Sequence, residues 1–498
     1  IYKTFAKNRR KEIEINDDEA TSTKEMIPII TCKRKTYNFY KGQVYSKNER
    51  VTLASKGWRH RDSRGDHFFI HPFDNEEVDN QSGFETFDDF NLIPSLCSHL
   101  EKLDIKKPLE IQQSAIPTIF KGYNTVLAAE TGCGKTLAYL LPMINRVLQW
   151  KFIIERDQNC PLGLIVTPTR ELAVQIALEL IRLSKHLDIQ TKLITGGKTK
   201  KMMMNPPVEH VDILVGSFGV ISKLTTVGVY NLTFVRYVVL DEADALFHYT
   251  FKDKLKVFMK RLPVSQTQLI LASATVPSYV DEILDNIVDS LKYIKTAKLH
   301  KIMVEQKFVR VGSDDKPQEL LKYIKSKVSK NQRVIVFCNT SGTSYWLYLF
   351  LNECGIKTTN LNGTMPLFER RGKYGEFLNG KAMVLSTTNA GSRGLDTVMV
   401  NHVLNYDFPL DTASYIHRCG RTLRKGTIGH CRVTNFICKP LEISLVQKIE
   451  YSVRKMKPLP MVNYGVPDMD VDDMMEEKDE PMKEEIIDNV ENVENIPY

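Results

Sequence analysis

The sequence predicts an α/β protein with two consecutive domains, each built on a parallel sheet covered by helices. Its 498 residues exceed one hydrophobic core, because a domain usually holds about 100–200 residues. Short apolar runs alternate with stretches of helical length. This pattern begins near residue 84, pauses near 292–305 and then restarts. Strands that are apolar on both faces and alternate with helices are typical of parallel sheets.

Ten apolar runs predict the strands. The first domain supplies NTVLAAE, GLIVTP, DILVGS, YVVLDEAD and QLILASAT, and the second supplies QRVIVFCNT, KTTNLNG, AMVLSTTN, HVLNYDFP and CRVTNFI. We therefore place the domains at residues 84–297 and 298–457. Residues 1–83 lack the pattern and form a basic N-terminal extension. Residues 458–498 form an acidic tail that is expected to be disordered.

Charge is divided unevenly along the chain. Residues 468–498 hold thirteen Asp/Glu and two Lys, a net charge of −11. Because the whole chain has a net charge of +8, residues 1–467 carry +19. A basic body favours a polyanionic partner. No apolar run approaches the ~18 residues of a membrane span. The nine cysteines form no C-x-x-C pair, which argues against a zinc ribbon or a disulfide framework.

The segment 31–64 concentrates positive charge, with ten Lys/Arg against two acids. It is either a basic linker without fixed structure or an anchor for nucleic acid. Aromatic rings lie among the charges and could stack on unpaired bases: Tyr37, Phe39, Tyr40, Tyr45 and Trp58.

AETGCGKT (129–136) follows the apolar run TVLA. Its glycines allow backbone N–H groups to approach a phosphate, and a helix that starts here adds its N-terminal dipole. Lys135 is placed for the β- and γ-phosphates and Thr136 for Mg²⁺. The alternative is an ordinary glycine turn before a helix.

DEAD (241–244) ends another apolar run. Charge at the end of a buried strand is costly unless it is used, and P-loop enzymes hold Mg²⁺ at such a position. Asp241 is expected to bind this ion, partly through water, and Glu242 to activate the attacking water. The alternative is an acid pair that caps the following helix.

The order of further motifs decides between these alternatives. The chain also carries IQQ (111–113), PTRELA (168–173), TGG (195–197), SAT (273–275), VIVFCNT (334–340), SRGLD (392–396) and YIHRCGRTLR (415–424). With this set the sequence resembles a DEAD-box RNA helicase over about residues 84–450. The resemblance implies two RecA-like domains that close over ATP and one RNA strand.

The resemblance also implies site residues. The implied catalytic residues are Lys135, Asp241, Glu242 and the arginine fingers Arg421 and Arg424. The residues implied to bind Mg²⁺ are Thr136 and Asp241. Nucleotide contacts fall to Phe87, Gln112, Ala129, Glu130, Thr131, Gly132, Cys133, Gly134, Lys135, Thr136 and Asp396. RNA contacts, to phosphate and sugar rather than base edges, fall to Thr169, Arg170, Gly197, Arg370 and Thr388. Ser273, Thr275 and His417 couple closure to the DEAD segment.

Several positions depart from the family pattern. Ile105 stands where an aromatic residue is usual, Val220 replaces a phosphate-binding arginine and Asn389 replaces an aspartate. Leu423 stands where glycine is usual. Because leucine resists the backbone geometry that glycine permits, we hypothesise that it holds Arg424 off its transition-state position. No hydrolytic group is lost.

Three segments resemble a mitochondrial branch of the family linked to assembly of the large mitochondrial ribosomal subunit. They are LASKGWRHRDSRGDHFFIHPF (53–73), KLHKIM (298–303) and SLVQKIE (444–450). The resemblance implies the mitochondrial matrix, large-subunit rRNA as substrate, and ribosomal or assembly proteins as partners. A nucleolar ribosome-assembly helicase is the alternative location, and an ATP-gated RNA clamp with little unwinding is the alternative activity. DNA is not expected.

Overall fold

Two sheets organise the molecule, one in each predicted domain. The computed structural model describes residues 27–46, 49–72, 84–196, 199–247, 251–275, 290–296, 299–362, 367–392, 399–423 and 429–460, with residues 280, 284, 288, 365, 395, 397 and 427. No described helix combines the length and the apolar character that crossing a bilayer requires.

The first domain carries a seven-stranded sheet. Its strands are β4 Thr125–Ala128, β5 Gly163–Thr167, β6 Thr191–Ile194, β7 Ile213–Ser217, β8 Tyr237–Asp241, β9 Gln268–Ser273 and β10 Lys292–Lys295. They lie in the order β10-β4-β9-β8-β5-β7-β6, with every neighbouring pair parallel. Strands β5, β7 and β8 are buried along their whole length, because helices cover both faces of the sheet.

The first-domain helices are α1 Pro94–Lys102, α2 Glu110–Phe120, α3 Lys135–Trp150, α4 Arg170–Leu183, α5 Thr199–Met204, α6 Phe218–Thr226, α7 Ala243–Leu246 and α8 Lys252–Met259. Two separate cores form, one on each side of the sheet. The carboxyl ends of β4 and β8 therefore meet at one edge, where the candidate site lies.

The second sheet contains six strands from the second domain, each parallel to its neighbours within this group. They are β11 Glu305–Arg310, β12 Val334–Phe337, β13 Thr358–Leu361, β14 Val384–Thr387, β15 His402–Asn405 and β16 Arg432–Ile437. The helices are α9 Lys316–Val328, α10 Ser341–Glu353, α11 Leu367–Leu378, α12 Asn389–Ser392, α13 Thr412–Cys419 and α14 Pro440–Arg454.

The N-terminal segment completes this second sheet. Its strands are β1 Pro28–Cys32, β2 Phe39–Tyr40 and β3 His67–Ile70, and β3 pairs antiparallel with β11. The nine strands lie in the order β13-β14-β12-β15-β16-β11-β3-β1-β2. The interpretation of 31–64 as a linker without fixed structure is therefore wrong for the residues described.

The burial of two rings overturns a second expectation about this segment. Phe39 is 0% and Trp58 is 1% exposed, and both pack in the core. Because stacking on a base requires an accessible ring face, the expected base-stacking role of these two aromatic residues is wrong.

All ten predicted strands are present, and the differences lie between them. The predicted pause at 292–305 contains β10, which pairs with β4 at the edge of the first sheet. The predicted tail lies outside the described residues from 461 onward. Its first residues are packed, since Leu459 is buried and its N–H donates to His300 O at 3.1 Å.

Candidate active site

The glycine-rich loop joins β4 to α3. Gly132 and Gly134 have φ of 85° and 93°, a left-handed conformation that favours glycine. A Cβ on Gly134 would also meet Gln112 Nε2 at 2.5 Å. Lys135 Nζ donates to Ala129 O at 2.5 Å and to Glu130 O at 2.7 Å. The loop therefore curls around the Lys135 ammonium group, which two carbonyls of the loop hold in place.

The carboxylates of the DEAD segment emerge at the end of β8. Asp241 Oδ2 accepts a hydrogen bond from the Tyr139 hydroxyl at 2.9 Å. Burial, and then the neighbouring charge of Glu242, raise the pKa of Asp241 to about 6. Glu242 has φ of 46°, which is rare for a residue other than glycine and often marks functional sites. Its Oε2 atom is buried without a hydrogen-bond partner among the described residues.

Asp244 links the two domains, and the sequence interpretation assigned it no role. Its Oδ2 accepts hydrogen bonds from Thr275 Oγ1 at 2.6 Å and from His417 Nε2 at 2.8 Å. Burial alone would raise the pKa of Asp244, but His417, Thr275 and Ser273 outweigh it and lower that pKa well below its usual range. The predicted coupling residues thus meet at a carboxylate that the DEAD motif itself contains.

The second domain closes over the loop. Thr131 Oγ1 donates to Gly420 O at 3.1 Å, and Arg421 Nη2 lies 3.7 Å from Glu242 Oε1. Between the domains lies a cleft of about 350 Å³. Predicted residues that line it are Thr131, Gly132, Gly134, Lys135, Thr136, Asp241, Glu242, Ser273, His417 and Arg421. Both carboxylates and one finger arginine therefore face the same space.

A second contact joins the domains at the predicted RNA residues. Arg370 is 5% exposed. Its Nε lies 3.0 Å from Glu171 Oε1, and it donates to the carbonyls of Asn362 and Gly391 at 3.1 Å. Arg370 therefore does not lie on a solvated face. Thr169 caps α4, and Thr388 follows β14 and is 7% exposed.

Other predicted residues lie apart from the cleft or outside the described residues. Phe87 is 4% exposed and packs in the first-domain core. The side chain of Gln112 accepts from Leu109 N–H at 2.9 Å and donates to Gly134 O at 3.1 Å, so it supports the loop. Their nucleotide contacts stay predictions. Gly197, Asp396 and Arg424 lie outside the described residues.

Leu423 adopts the conformation that glycine would provide, with φ of 55°. Leucine therefore adopts the geometry that it is expected to resist, and the hypothesis that it displaces Arg424 stays a prediction, because Arg424 lies outside the described residues. The backbone has the expected form, and the side chain is 50% exposed.

A neutral cage surrounds Arg418, which is 2% exposed. It donates to the side-chain oxygens of Asn389 at 2.6 Å, Asn339 at 2.7 Å and Asn405 at 3.1 Å. Burial lowers the pKa of Arg418 to about 10. Asn389, where the family has aspartate, keeps the hydrogen bond to Arg418 without supplying a charge.

Comparisons with known proteins show the family to which both domains belong. Residues 109–283 match the DEAD/DEAH box helicase family, and residues 315–426 match the helicase conserved C-terminal domain. The mouse protein "Probable ATP-dependent RNA helicase DDX28" is 34% identical over 469 residues, 88% of this chain and 86% of that protein. The chain belongs to the DEAD-box family of ATP-dependent RNA helicases.

Other DEAD-box proteins are similar over shorter or comparable lengths. The human DDX28 protein is 32% identical over 87% of this chain and 85% of its own. A solved structure of S. cerevisiae Dbp5, bound to RNA and ADP BeF3, has a TM-score of 0.64 and 26% identity. It covers 74% of this chain and 94% of that one. As a DEAD-box helicase, this protein hydrolyses ATP. We propose the cleft between the two domains as the nucleotide site.

The oxygen donors fit a magnesium ion. Mg²⁺ is usually bound by one or two carboxylates together with substrate phosphates, and Asp241 and Thr136 offer a carboxylate and a hydroxyl at the cleft. Bound there, the ion would neutralise charge on the transferring phosphoryl group. Glu242 and Arg421 both line this cleft. Their roles as proton acceptor and as stabiliser of negative charge stay predictions.

Proposed function

We propose that this DEAD-box helicase separates short rRNA duplexes, or remodels RNA–protein contacts, during assembly of the large mitochondrial ribosomal subunit in the mitochondrial matrix. The supporting observation concerns the three segments that resemble the mitochondrial branch. They lie far apart in sequence but contribute to one hydrophobic cluster. Trp58 and Phe68 come from the first segment, Ile302 from the second, and Leu445, Val446 and Ile449 from the third.

Polar contacts join the same segments. Glu450 ends the third segment and accepts hydrogen bonds from Ala54 N–H at 2.7 Å and from Ser55 Oγ at 2.6 Å. Gln447 Nε2 donates to Ser55 O at 3.3 Å. The three segments that resemble the mitochondrial branch outside the helicase motifs therefore pack into one structural unit. This supports a specialised role that the protein shares with that branch. The similarity to the DDX28 proteins also extends over 88% and 87% of the chain, beyond the two matched domains.

Crosslinking the protein to RNA in cells and sequencing the attached RNA tests the substrate. The expected result is enrichment of mitochondrial large-subunit rRNA over mitochondrial mRNA. Enrichment of cytoplasmic ribosomal RNA precursors would instead support the nucleolar alternative. The Glu242→Gln variant, which should remain on its RNA, serves as the trapping form.

A strand-separation assay distinguishes a helicase from an ATP-gated clamp. We expect ATP to separate a short duplex of a few base pairs, because stacking averages about 1.4 kcal/mol per step in DNA. A long duplex should resist. RNA-stimulated ATPase without separation of any duplex would favour the clamp.

A further inference from the structure

The N-terminal residues present a rigid basic surface outside the helicase cleft. Two successive 3-10 turns, Lys56–Arg59 and Arg61–Ser63, carry it. Trp58 and Ser63 point inward and are buried, whereas Lys56, Arg59 and Arg61 are exposed. We call these three side chains the basic turn. None of them has an ion-pair partner within the part of the chain that the structure describes.

The backbone beneath the basic turn is fixed. Arg310 Nε donates to Trp58 O at 2.9 Å, and Ser63 Oγ donates to the carbonyls of Trp58 at 3.1 Å and His60 at 2.6 Å. Glu450 anchors the chain just before the turn through Ser55. Because the backbone is already ordered, binding a ligand here would cost only side-chain freedom.

Two other positive charges nearby are already partly neutralised. Lys33 Nζ and Arg34 Nη2 each lie 3.3 Å from a carboxylate oxygen of Asp66. Asp62 is the acid inside the turn and is exposed. The basic turn therefore keeps an excess of positive charge, which favours a polyanion.

The position of the basic turn in the fold indicates which polyanion it binds. Arg310 ends β11, and Gly65 N–H donates to its carbonyl at 2.8 Å. The turn therefore lies at the carboxyl edge of the second sheet, where Thr388 follows β14. From β14 the parallel order continues through β12, β15 and β16 to β11. Four steps of about 4.8 Å between neighbouring strands place the basic turn about 19 Å from Thr388.

We propose that the basic turn binds the phosphate backbone of RNA that extends beyond the helicase cleft. The distance corresponds to about six stacked nucleotides, at about 3.4 Å per nucleotide of one strand. Contacts to phosphate carry no base specificity, so the turn would add affinity for long RNA and orient flanking segments. This inference rests on the proposed function, because it requires RNA in the cleft.

The test compares two charge-reversal variants of the full chain. Arg59→Glu/Arg61→Glu alters the basic turn. Lys325→Glu/Lys330→Glu makes the same change in net charge at exposed residues near the opposite edge of the sheet, just before β12. RNA affinity is measured across a salt series with a non-hydrolysable ATP analogue, using RNAs of about 5 and about 20 nucleotides, lengths that fall below and above the six-nucleotide distance.

We expect the basic-turn variant to lower the log–log salt slope for the long RNA by about 1.4, which is two contacts at about 0.7 each. The slope for the short RNA should not change, and the control variant should match the wild type. Thermal melting checks that all variants are folded. Equal slopes for wild type and basic-turn variant, or equal losses in both variants, would overturn the proposal.

Two further readouts separate this proposal from others. RNA-stimulated ATPase at saturating short RNA should persist in both variants, and its absence in the wild type would contradict the proposed function itself. The acidic residues 468–498 are a rival occupant of the turn. A crosslink between Lys56 and this tail, with unchanged RNA binding in the variant, would show that the turn serves the tail and would overturn the RNA site.

Discussion

Glu242 combines an uncommon backbone conformation with an unused oxygen. Its φ of 46° aims the side chain into the cleft, and Oε2 has no hydrogen-bond partner among the described residues. Arg421 lies 3.7 Å from the other oxygen. A residue that only capped α7 would bond its own helix; here the structure finds no such side-chain cap. The geometry favours a proton acceptor over a capping acid.

We therefore predict that Glu242→Gln keeps ATP and RNA binding but lowers turnover by about 10²–10⁴-fold, the usual contribution of a general base. Lys135→Ala should instead weaken nucleotide binding. Nucleotide affinity and steady-state ATPase measure the two effects. Asp253→Asn makes the same chemical change at an exposed site and should be neutral. Normal turnover in Glu242→Gln would exclude it as the base.

The backbone of Leu423 is strained, and its side chain makes little packing contact that would offset the strain. A left-handed conformation costs an L-residue roughly 1–2 kcal/mol, and half of this side chain is exposed. We predict that Leu423→Gly raises the free energy of unfolding by about 1 kcal/mol, measured by urea denaturation. Leu178→Gly, at an exposed position inside α4, should lower it by about 1 kcal/mol. Destabilisation by both changes would refute the strain argument.

At the scale of elements, a buried ion pair fastens the N-terminal strands to α14. Glu450 and Arg454 are 0% and 2% exposed, and their side chains approach to 2.8 Å. Arg454 Nη2 also donates to Tyr37 O at 2.7 Å. Such a pair contributes little net stability, but breaking it leaves a buried charge without a partner. The attachment of the N-terminal strands therefore depends on both residues.

We predict that Glu450→Gln destabilises this attachment by about 3–5 kcal/mol. Hydrogen exchange should show faster exchange at Ala54 and Ser55, whose N–H groups donate to Glu450, while ATPase without RNA is retained. Glu319→Gln breaks an exposed pair with Lys322 and should leave stability almost unchanged. Unchanged protection at Ala54 would contradict the anchoring role.

At the scale of the whole molecule, closure depends on a few polar contacts between the domains. His417 reaches Asp244, Thr131 reaches Gly420, and Arg370 reaches Glu171. The first of these contacts touches the segment that also carries Asp241 and Glu242. We therefore expect Asp244 to link nucleotide in the cleft to the relative position of the domains.

We predict that Asp244→Asn separates closure from nucleotide binding. An amide nitrogen at Oδ2 would face the donors of Thr275 and His417, so RNA-stimulated ATPase should fall about tenfold, within the usual range of coupling. Small-angle X-ray scattering with RNA and an ATP analogue should show an open form. Because the pKa of Asp244 is lowered, the stability that this contact contributes is fully present above the unfolded pKa near about 3.9 and is lost as pH falls through the lower folded pKa.

The control for this experiment must be an exposed acid, because a buried acid has partners of its own. Asp212 is 2% exposed and pairs with Arg156 and Lys151, so Asp212→Asn is unsuitable. Asp253→Asn is exposed and should close normally. A closed scattering profile for Asp244→Asn would show that the remaining contacts between the domains suffice.

The sequence by itself determined ten strands of the two sheets, the phosphate-binding loop and the DEAD carboxylates. These features are local: an apolar run, a glycine spacing or an acid at a strand end is visible within a few residues. Asp241 and Glu242 were found in this way. Asp244 lay in the same motif, but its role depends on His417, which is 173 residues away.

Only the tertiary structure decided where the N-terminal segment belongs. In its strand β3, Phe68 pairs with Phe308, and the whole first domain lies between these two residues in the sequence. Such a distant pairing leaves no local signal, because either strand alone is compatible with many partners. The same pairing decided that Phe39 and Trp58 are core residues, while Arg59 and Arg61 stay exposed. Composition gives the number of rings and charges, but the fold determines which of them face water.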